Sequence, residues 1–298
     1  SYTVYEPVSS PNGCPPTEFT QPEGFTMSNG PRKRTETITA AQINNGTVIA
    51  NQNFSHDTVN TPLACNTSMI QFVGRPTSWY NINIVTGQPT LQGPLSPAHD
   101  VNAIGYNVLD NYIYGYDQTT NNIVRVADDG TVIQLGRPTG LPADGYNTGT
   151  FGVNGFLYIF VNNETRFYTI DLRPNSSTFM KLVNPAAGYT EQTSNYGTAL
   201  SVAANISDWV LSEGNLYGVE RNGVLVRIVP TTGQVTELAT TAPNPNASFG
   251  ALAIDSTGTI YAIANSDGTI YKYTYSGNTA TGVPFSKTFF DSFNDGTM

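Results

Sequence analysis

The stretch NYIYGYDQTTNNIVRVADDGTVIQL, residues 111–135, contains three short apolar runs separated by polar residues and an Asp-Gly turn. Apolar and β-branched runs of this length, bounded by Asn, Asp and Gly, are typical of β-strands joined by tight turns. Closely similar stretches recur later in the chain, each with an Ile-Tyr or Leu-Tyr pair at the same place. They cover residues 154–182, 213–238 and 257–283, and a partial copy covers residues 78–93.

The spacing of the copies identifies the kind of repeat. The shared residues Tyr114, Tyr158, Tyr217 and Tyr261 are 44, 59 and 44 residues apart. A period of about 40–45 residues with four short strands in each unit is the sequence signature of a β-propeller. The longer interval predicts a long loop on one face, over residues 184–207.

The repeat predicts how the units pack. A single four-stranded antiparallel unit cannot bury both of its faces, so its neighbours must cover it and the units must close into a ring. A small, Gly-rich segment precedes each copy and suits the innermost strand at the crowded axis, while Tyr and Phe side chains are expected between blades. Trp79, inside a strand pattern, is expected in the same apolar layer.

The number of copies gives the blade count. Five copies are visible between residues 66 and 283, and strands from residues 36–54 and 286–298 would supply one more. We therefore predict an all-β propeller with six four-stranded blades, with seven blades as the alternative. The domain would span residues 23–298 and be closed by strands from both termini, with residues 1–22 as an N-terminal arm on its surface.

Composition limits the partners and the compartment. The net charge of −9 argues against binding to nucleic acid or to an anionic membrane surface. The most apolar run, residues 156–161, is far shorter than the roughly 20 residues that a membrane span needs. A start at Ser1 without Met or a leader is expected of a mature secreted chain. Cys14 and Cys65 suit one disulfide in an oxidising compartment, and two unrelated thiols are the alternative.

Sites for N-linked glycans are available if the protein is secreted, although a chain this rich in Asn, Ser and Thr contains a similar number by chance. The candidates are Asn45, Asn53, Asn66, Asn163, Asn175, Asn205 and Asn246.

Several stretches carry a family resemblance. These are IGYNVLDNYIYGYD (residues 104–117), NNIVRVADDGTVIQLG (121–136) and GLPADGYNTGTFGVNGFLYIF (140–160). Together with the ending NDGTM, they resemble a family of secreted propeller domains of unknown function found in bacterial and fungal surface and extracellular proteins. The resemblance covers residues 65–298. It implies the propeller fold and an extracellular setting, and it implies no activity.

The loops that lead into the innermost strands are expected to meet at one end of the axis, where propellers commonly bind ligands. The candidate ligand-binding residues in these loops are Asn102, Tyr146, Asn147, Asp208, Trp209, Asn246 and Asp295. Among the aspartates, Asp100, Asp144, Asp208 and Asp295 would repel one another near the axis unless a cation offset their charge, and Ca²⁺ suits such an oxygen-rich set. Alternatively, these residues are ordinary turn formers that cap backbone N–H groups.

Catalysis has weaker support. His99 could act as a general base oriented by Asp100, and Asp144 is a third weak catalytic candidate. The alternative is an inert surface histidine. Because His56 is the only other histidine, a His-rich zinc or copper centre is not expected.

Three functional hypotheses remain open at this stage. The first is a secreted, non-catalytic binding or surface module that recognises a glycan or a cell-wall polymer, with Trp209 stacking on the ligand. The second is a Ca²⁺-dependent hydrolase or lyase, lactonase-like or carbohydrate-active, with its site at the central channel. No Glu lies in the lead-in loops, although Glu191 in the long loop could reach the mouth. The third is a purely structural domain of a longer surface protein.

Overall fold

The computed structural model of the chain describes residues 68–298, Leu63, and two short strands nearer the N-terminus. These strands, β1 (Tyr2–Tyr5) and β2 (Lys33–Glu36), pair antiparallel. The rest of the expected N-terminal arm, the Cys14–Cys65 disulfide and the predicted strands of residues 37–54 lie outside the described residues, as do the sequons at Asn45, Asn53 and Asn66.

Residues 68–298 form five sheets whose four main strands pair antiparallel, and this confirms the all-β propeller. The strands of each blade are given from the axis outwards. Blade 1 contains β25 (Asn294–Thr297), β3 (Met69–Val73), β4 (Ser78–Ile82) and β5 (Pro89–Pro94). Blade 2 contains β6 (Val101–Asn107), β7 (Tyr112–Asp117), β8 (Asn122–Val126) and β9 (Val132–Gly136).

Blade 3 carries extra elements within the region predicted as a long loop. Its main strands are β10 (Thr148–Phe151), β11 (Phe156–Phe160), β12 (Arg166–Asp171) and β13 (Lys181–Asn184). A 3-10 turn (Pro185–Ala187) follows, then β14 (Thr190–Glu191), which pairs with β13, and β15 (Thr198–Ala199), which pairs with the first half of β12. The insertion therefore extends the blade.

Blades 4 and 5 complete the ring. Blade 4 contains β16 (Ile206–Ser212), β17 (Asn215–Glu220), β18 (Leu225–Val229) and β19 (Gln234–Glu237). Blade 5 contains β21 (Phe249–Ile254), β22 (Ile260–Ala264), β23 (Thr269–Ser276) and β24 (Thr279–Lys287). The short strand β20 (Ala239–Thr241) lies parallel to β24 at its outer edge.

The prediction of six or seven blades is wrong for the described residues, which form five. The C-terminal strand β25 does not contribute to an additional blade, because it pairs with β3 as the innermost strand of blade 1. That blade therefore draws its four strands from residues 69–94 and 294–297, and it contacts both blade 2 and blade 5 through β25. The partial copy at residues 78–93 is thus part of the blade that the C-terminal strand completes.

The apolar core consists of five separate layers, one in each seam between neighbouring blades. Tyr114, Tyr116 and Tyr146 fill the seam between blades 2 and 3, and Trp79 lies in the seam between blades 1 and 2. The layers match the expectation that each blade hides its faces against its neighbours.

The innermost strands of consecutive blades touch all the way around the axis. At Gly149 in β10 the approach is so close that an added Cβ would lie 2.1 Å from the carbonyl carbon of Ala103 in β6. Only glycine leaves room for the two backbones. In the described part of the chain, no helix has the length and apolar content needed to cross a lipid bilayer.

Candidate functional site

Most of the predicted site residues lie at one end of the ring, where the innermost strands begin and the second strands of the blades end. We call this end the lead-in face. In the seam between blades 1 and 2, the Thr77 hydroxyl accepts a hydrogen bond from the Val101 N–H at 3.0 Å. Gln118 then joins three blades, because its Oε1 accepts from Arg75 at 2.5 Å and its Nε2 donates to the Tyr146 carbonyl at 3.0 Å.

Amide side chains join two further seams at this face. Asn147 donates from Nδ2 to the Ser207 carbonyl at 3.2 Å, and Asn162 donates from Nδ2 to the Ser207 hydroxyl at 3.4 Å. Between blades 5 and 1, Asn294 donates from Nδ2 to Oδ1 of Asn265 at 3.0 Å. Asn294 is buried, and the other residues in these contacts are half-buried, namely Asn147, Asn162, Ser207 and Asn265.

Arg221 joins the remaining seam, between blades 4 and 5. Its Nη1 donates to the Ser248 hydroxyl at 3.2 Å and its Nη2 donates to the Asn246 carbonyl at 3.5 Å. Asn246 therefore contributes a backbone group to the contact. Every seam of the ring is thus closed at the lead-in face by a polar side chain.

Two buried oxygens at this face have no hydrogen-bond donor among the described residues. They are Oδ1 of Asn162 and Oδ1 of Asn294. A buried amide oxygen without a donor costs about 1–3 kcal/mol, so each is a favourable place for a ligand or water hydrogen to bind.

A notch between blades 1 and 2 opens next to Asn294. Its volume is about 10 Å³, which is room for roughly one water molecule or hydroxyl group. The Arg75 guanidinium stands 3.6 Å from the Asp100 carboxylate at its edge. The polar and aromatic side chains that line the notch are those of Arg75, Thr77, Asp100, Asn102, Gln118, Phe293 and Asn294.

Asp208 and Asp295 meet on the axis and are completely buried. Asp295 of blade 1 accepts the Ile104 N–H of blade 2 at 2.7 Å, and Asp208 of blade 4 accepts the Leu252 N–H of blade 5 at 2.5 Å. Ile104 lies in a β-bulge of β6, where the N–H is free of its own ladder. The two carboxyl groups therefore join innermost strands and face no solvent.

The protonation of this axial pair follows from its surroundings. Burial raises the pKa of both carboxyl groups well above their usual value, and the charge of Asp295 raises that of Asp208 further. The side chains hydrogen-bond to each other, and each carboxyl group also receives two backbone N–H groups. The pair therefore shares one proton, which lies in the hydrogen bond between the two carboxyl groups.

The proposed base His99 does not pair with Asp100. Its Nδ1 lies 2.9 Å from Oδ2 of the fully buried Asp117, although no hydrogen bond of standard geometry forms there. Asp117 also accepts the Thr120 hydroxyl at 2.6 Å and Nε2 of Gln134 at 2.9 Å. Its pKa is lowered because these hydrogen bonds and His99 together outweigh burial, which alone would raise it. The carboxylate beside His99 is therefore Asp117.

Asp144 is exposed to solvent, whereas the nearby Tyr146 is buried. Asp144 is exposed and its carboxylate caps the Gly145 N–H at 2.7 Å, as a turn-forming residue does. Tyr146 is 1% exposed and packs edge-on against Tyr116, with ring centroids 4.7 Å apart. Burial raises the pKa of the Tyr146 hydroxyl above the usual value of a tyrosine. Its ring therefore belongs to the seam, and only its backbone carbonyl reaches the lead-in face.

Trp209 cannot stack on a ligand as predicted, because its side chain is fully buried. The indole stacks on Phe160 at 5.4 Å and meets Phe167 edge-on at 5.7 Å, in the seam between blades 3 and 4. Trp209 follows the axial residue Asp208 in sequence, but successive residues of a strand point to opposite faces, so its side chain enters the seam.

The aspartates proposed as a Ca²⁺ site do not converge. Asp208 and Asp295 meet on the axis, Asp100 is held by Arg75, and Asp144 lies in an exposed turn. Within residues 68–298, no three His, Cys, Asp or Glu side chains come together as metal ligands. Glu191 lies on an outer strand of blade 3, with Oε1 3.3 Å from Nζ of Lys181.

Four sequons fall within the described residues. Asn163, Asn175 and Asn246 are exposed, and Asn205 is half-buried. The first three are accessible to a glycan.

Several residues of the lead-in face are not among the predicted site residues. Gln118, Asn162 and Asn265 follow the ends of second strands, and Arg75 and Phe293 lie in the loops beside β3 and β25. The sequence contains a signal for two of them, because Gln118 and Asn265 directly follow the same strand of the repeat. The predicted set contains only residues that precede or begin the innermost strands.

Comparisons with known proteins give one family match and several weak structural similarities. A search of curated protein sequences finds no match. Among solved structures, virginiamycin B lyase from Staphylococcus aureus is 18% identical with a TM-score of 0.43, over 73% of this chain and 70% of that chain. Glutaminyl cyclase from Myxococcus xanthus is 13% identical with a TM-score of 0.44, over 66% and 81%. A chain of a nidogen/laminin complex is 11% identical with a TM-score of 0.43, over 74% and 82%.

Similarities this weak support no inference about activity. The match to a sequence family is more extensive, since it runs over residues 67–298 and so includes all five blades. The chain belongs to the family described as a repeat of unknown function, DUF6923.

Proposed function

We propose that this propeller is a non-catalytic binding module that recognises a neutral, hydroxyl-rich polymer, such as a cell-wall glycan, at its lead-in face. The observation that carries the proposal is the circle of amide, hydroxyl and guanidinium side chains at the blade seams. Two of these amides keep a buried oxygen without a donor. Amides offer both donors and acceptors, and these match the hydroxyl groups of a sugar.

The carboxylates of this region favour binding over catalysis. Acid–base hydrolysis of a glycoside needs two carboxyl groups on either side of the scissile bond. Asp208 and Asp295 are sealed on the axis, and Asp117 is fully buried. Asp100 is engaged by Arg75. Asp208, Asp295 and Asp117 are thus out of reach of a substrate, and Asp100 alone does not supply the pair of carboxyl groups that hydrolysis needs.

Co-sedimentation with insoluble chitin, cellulose, β-glucan and peptidoglycan tests the proposal. We expect retention on at least one polymer without release of soluble sugar, and the same retention in Ca²⁺ and in EDTA. Release of products that His99→Ala abolishes, or retention that requires Ca²⁺, would instead favour the Ca²⁺-dependent hydrolase or lyase. Absence of retention on every polymer would overturn the proposal.

A variant pair assigns the binding to the lead-in face. Asn162→Ala removes one free acceptor, and we expect retention to weaken roughly 3- to 10-fold, as the loss of one hydrogen bond implies. Asn163→Ala, an exposed neighbour, is the matched control and should bind like the wild type. Thermal unfolding of both variants separates lost contacts from lost folding.

We also propose that the protein acts outside the cell. The family resemblance of residues 65–298 supports this setting, in which the exposed sequons at Asn163, Asn175 and Asn246 would be available for glycans. Expression through a eukaryotic secretory pathway, followed by enzymatic deglycosylation, tests whether those sites are used. A mass decrease that Asn163→Gln diminishes is the expected result, and an unchanged mass contradicts glycan attachment.

A further inference from the structure

We infer that Phe293 and Asn294, in the segment that leads into β25, form the seat for one neutral sugar ring. The ring would stack on Phe293 while one of its hydroxyl groups enters the notch between blades 1 and 2. This inference rests on the proposed function and adds the location and the chemistry of the contact.

Phe293 is an exposed aromatic ring that is held rigidly. It is 47% exposed, and the Arg75 guanidinium lies 4.2 Å from its ring centroid. Its N–H donates to Oδ1 of Asp291 at 2.8 Å, and its carbonyl accepts from the Gly74 N–H at 2.8 Å. Because the backbone is fixed on both sides and Arg75 orients the ring, little conformational entropy is lost when a flat apolar face stacks on it.

Asn294 supplies the polar half of the seat. The residue is 5% exposed and lines the notch. Both hydrogens of Nδ2 are used, one by Asn265 Oδ1 at 3.0 Å and one by the Asp291 carbonyl, so the side chain cannot rotate to hide its oxygen. Oδ1 has no donor within the described residues. A ligand O–H is the group that would satisfy it.

Gly250 lies next to this buried oxygen on the side of blade 5. A Cβ added at Gly250 would lie 3.0 Å from Oδ1 of Asn294 and 2.7 Å from Nδ2 of Asn265. The backbone of Gly250 is not in the left-handed region, and its N–H already binds Oδ1 of Asn265 at 2.9 Å. The glycine therefore matters for the space it leaves next to the acceptor.

The charges around the notch select a neutral ligand. Arg75 is the cation closest to it, and its guanidinium is already engaged by Asp100 at 3.6 Å and by Oε1 of Gln118 at 2.5 Å. An acidic sugar would have to displace Asp100, and a cationic ligand would have to displace Arg75. With space for about one hydroxyl, the notch admits a substituent of a ring and leaves the ring outside, against Phe293.

Phe293→Ala and Phe290→Ala form a matched pair for testing the seat. Phe290 belongs to the same segment and is 59% exposed, but it does not line the notch. We expect Phe293→Ala to weaken binding to the retained polymer roughly 3- to 10-fold, which corresponds to one lost aromatic contact, and Phe293→Tyr to restore it. Phe290→Ala should bind like the wild type. Equal binding by Phe293→Ala and wild type would overturn the seat.

Nuclear magnetic resonance separates failure of the seat from failure of the proposed function. The protein is titrated with hexasaccharides of chitin, cellulose and β-glucan and with a soluble peptidoglycan fragment, while the ring of Phe293 and the side-chain amides of Asn294 and Asn162 are followed. Shifts at Phe293 and Asn294 are expected, and Gly250→Ala should reduce them. Shifts confined to Asn162 would overturn the seat and leave the proposed function standing, whereas no shift at any of the three would overturn both.

Discussion

The axial pair Asp208–Asp295 and the blade-edge residue Asp171 are all fully buried, but their surroundings have opposite effects on their charge. Asp171, at the end of β12, receives Nε of Arg173 at 2.9 Å and Nη2 at 2.6 Å, together with the hydroxyl groups of Ser176 and Thr178. Burial alone would raise its pKa, but these donors lower it to about 2.

The axial carboxyl groups have backbone donors and no cation. Burial and mutual repulsion raise their pKa, and one shared proton relieves the repulsion. All three carboxyl groups are out of contact with solvent, but Asp171 lies nearer the surface, beside the part-exposed Arg173. The deeper burial of the axial pair and the cation beside Asp171 together decide which form is stable. The difference predicts opposite responses to substitution and to pH.

The largest expected effect comes from Asp295→Ala. Removing this carboxyl group leaves the buried N–H groups of Ile104 and Gly296 without an acceptor and opens a void between blades, so we expect a loss of about 3–5 kcal/mol in the free energy of unfolding. Urea denaturation at pH 7 measures it.

Asp295→Asn is the control for this variant. The amide keeps an acceptor for only one of the two N–H groups, but it leaves no void and removes one charge of the pair, so it should cost about 1 kcal/mol, less than Asp295→Ala. Equal losses for the two variants would mean that the backbone contacts contribute nothing to the ring.

Asp171→Asn should lower the free energy of unfolding more than Asp295→Asn does. Here the negative charge is the form that Arg173 binds, and its loss should cost about 2 kcal/mol at pH 7, more than Asp295→Asn. Because the folded pKa of Asp171 is lowered, its contribution is complete above the unfolded pKa near 4 and is lost as the pH falls towards about 2. The difference between wild type and variant, followed by urea denaturation between pH 5 and pH 2, should therefore shrink. A constant difference contradicts the assignment of charge.

For the axial pair, stability should change with pH in the direction opposite to that of Asp171. A carboxyl group whose folded pKa is raised binds more protons when folded, so its stabilising effect is complete at low pH and declines as the pH rises above about 4. Between pH 5 and pH 9 we expect wild type to lose about 1 kcal/mol relative to Asp208→Asn, which has no proton to lose at this position. Parallel pH profiles for the two proteins would show that the pair does not share a proton.

The sequence predicts the blades better than their closure. Tyr114, Tyr158, Tyr217 and Tyr261 recur at a period that only neighbouring sheets can explain, and the seams contain the expected aromatic side chains. The blade count could not be derived in the same way. Which sheet the strand of residues 294–297 enters depends on a long-range pairing with β3, and no local pattern encodes that pairing.

The site was predictable only in part. Asp208 and Asp295 were placed near the axis from their position before a strand, but the bulge that frees the Ile104 N–H does not show in the sequence. For the same reason, the partner of His99 could not be known to be Asp117, which follows it by 18 residues, at the end of β7.

The smallest change in the free energy of unfolding is expected for Glu191→Gln. Its ion pair with Lys181 is exposed, in contrast to the buried aspartates. Glu191 and Lys181 are 3.3 Å apart, and their side chains are 40% and 45% exposed. Water screens such a pair and competes for both groups, so the free energy of unfolding should change by less than about 0.5 kcal/mol, and 0.5 M salt should remove the difference. Asp171→Asn under the same salt should keep most of its cost, because its carboxylate is out of contact with solvent. Equal salt sensitivity of the two variants would mean that burial does not protect the Asp171 interactions, and the contrast between the aspartates would then need another cause.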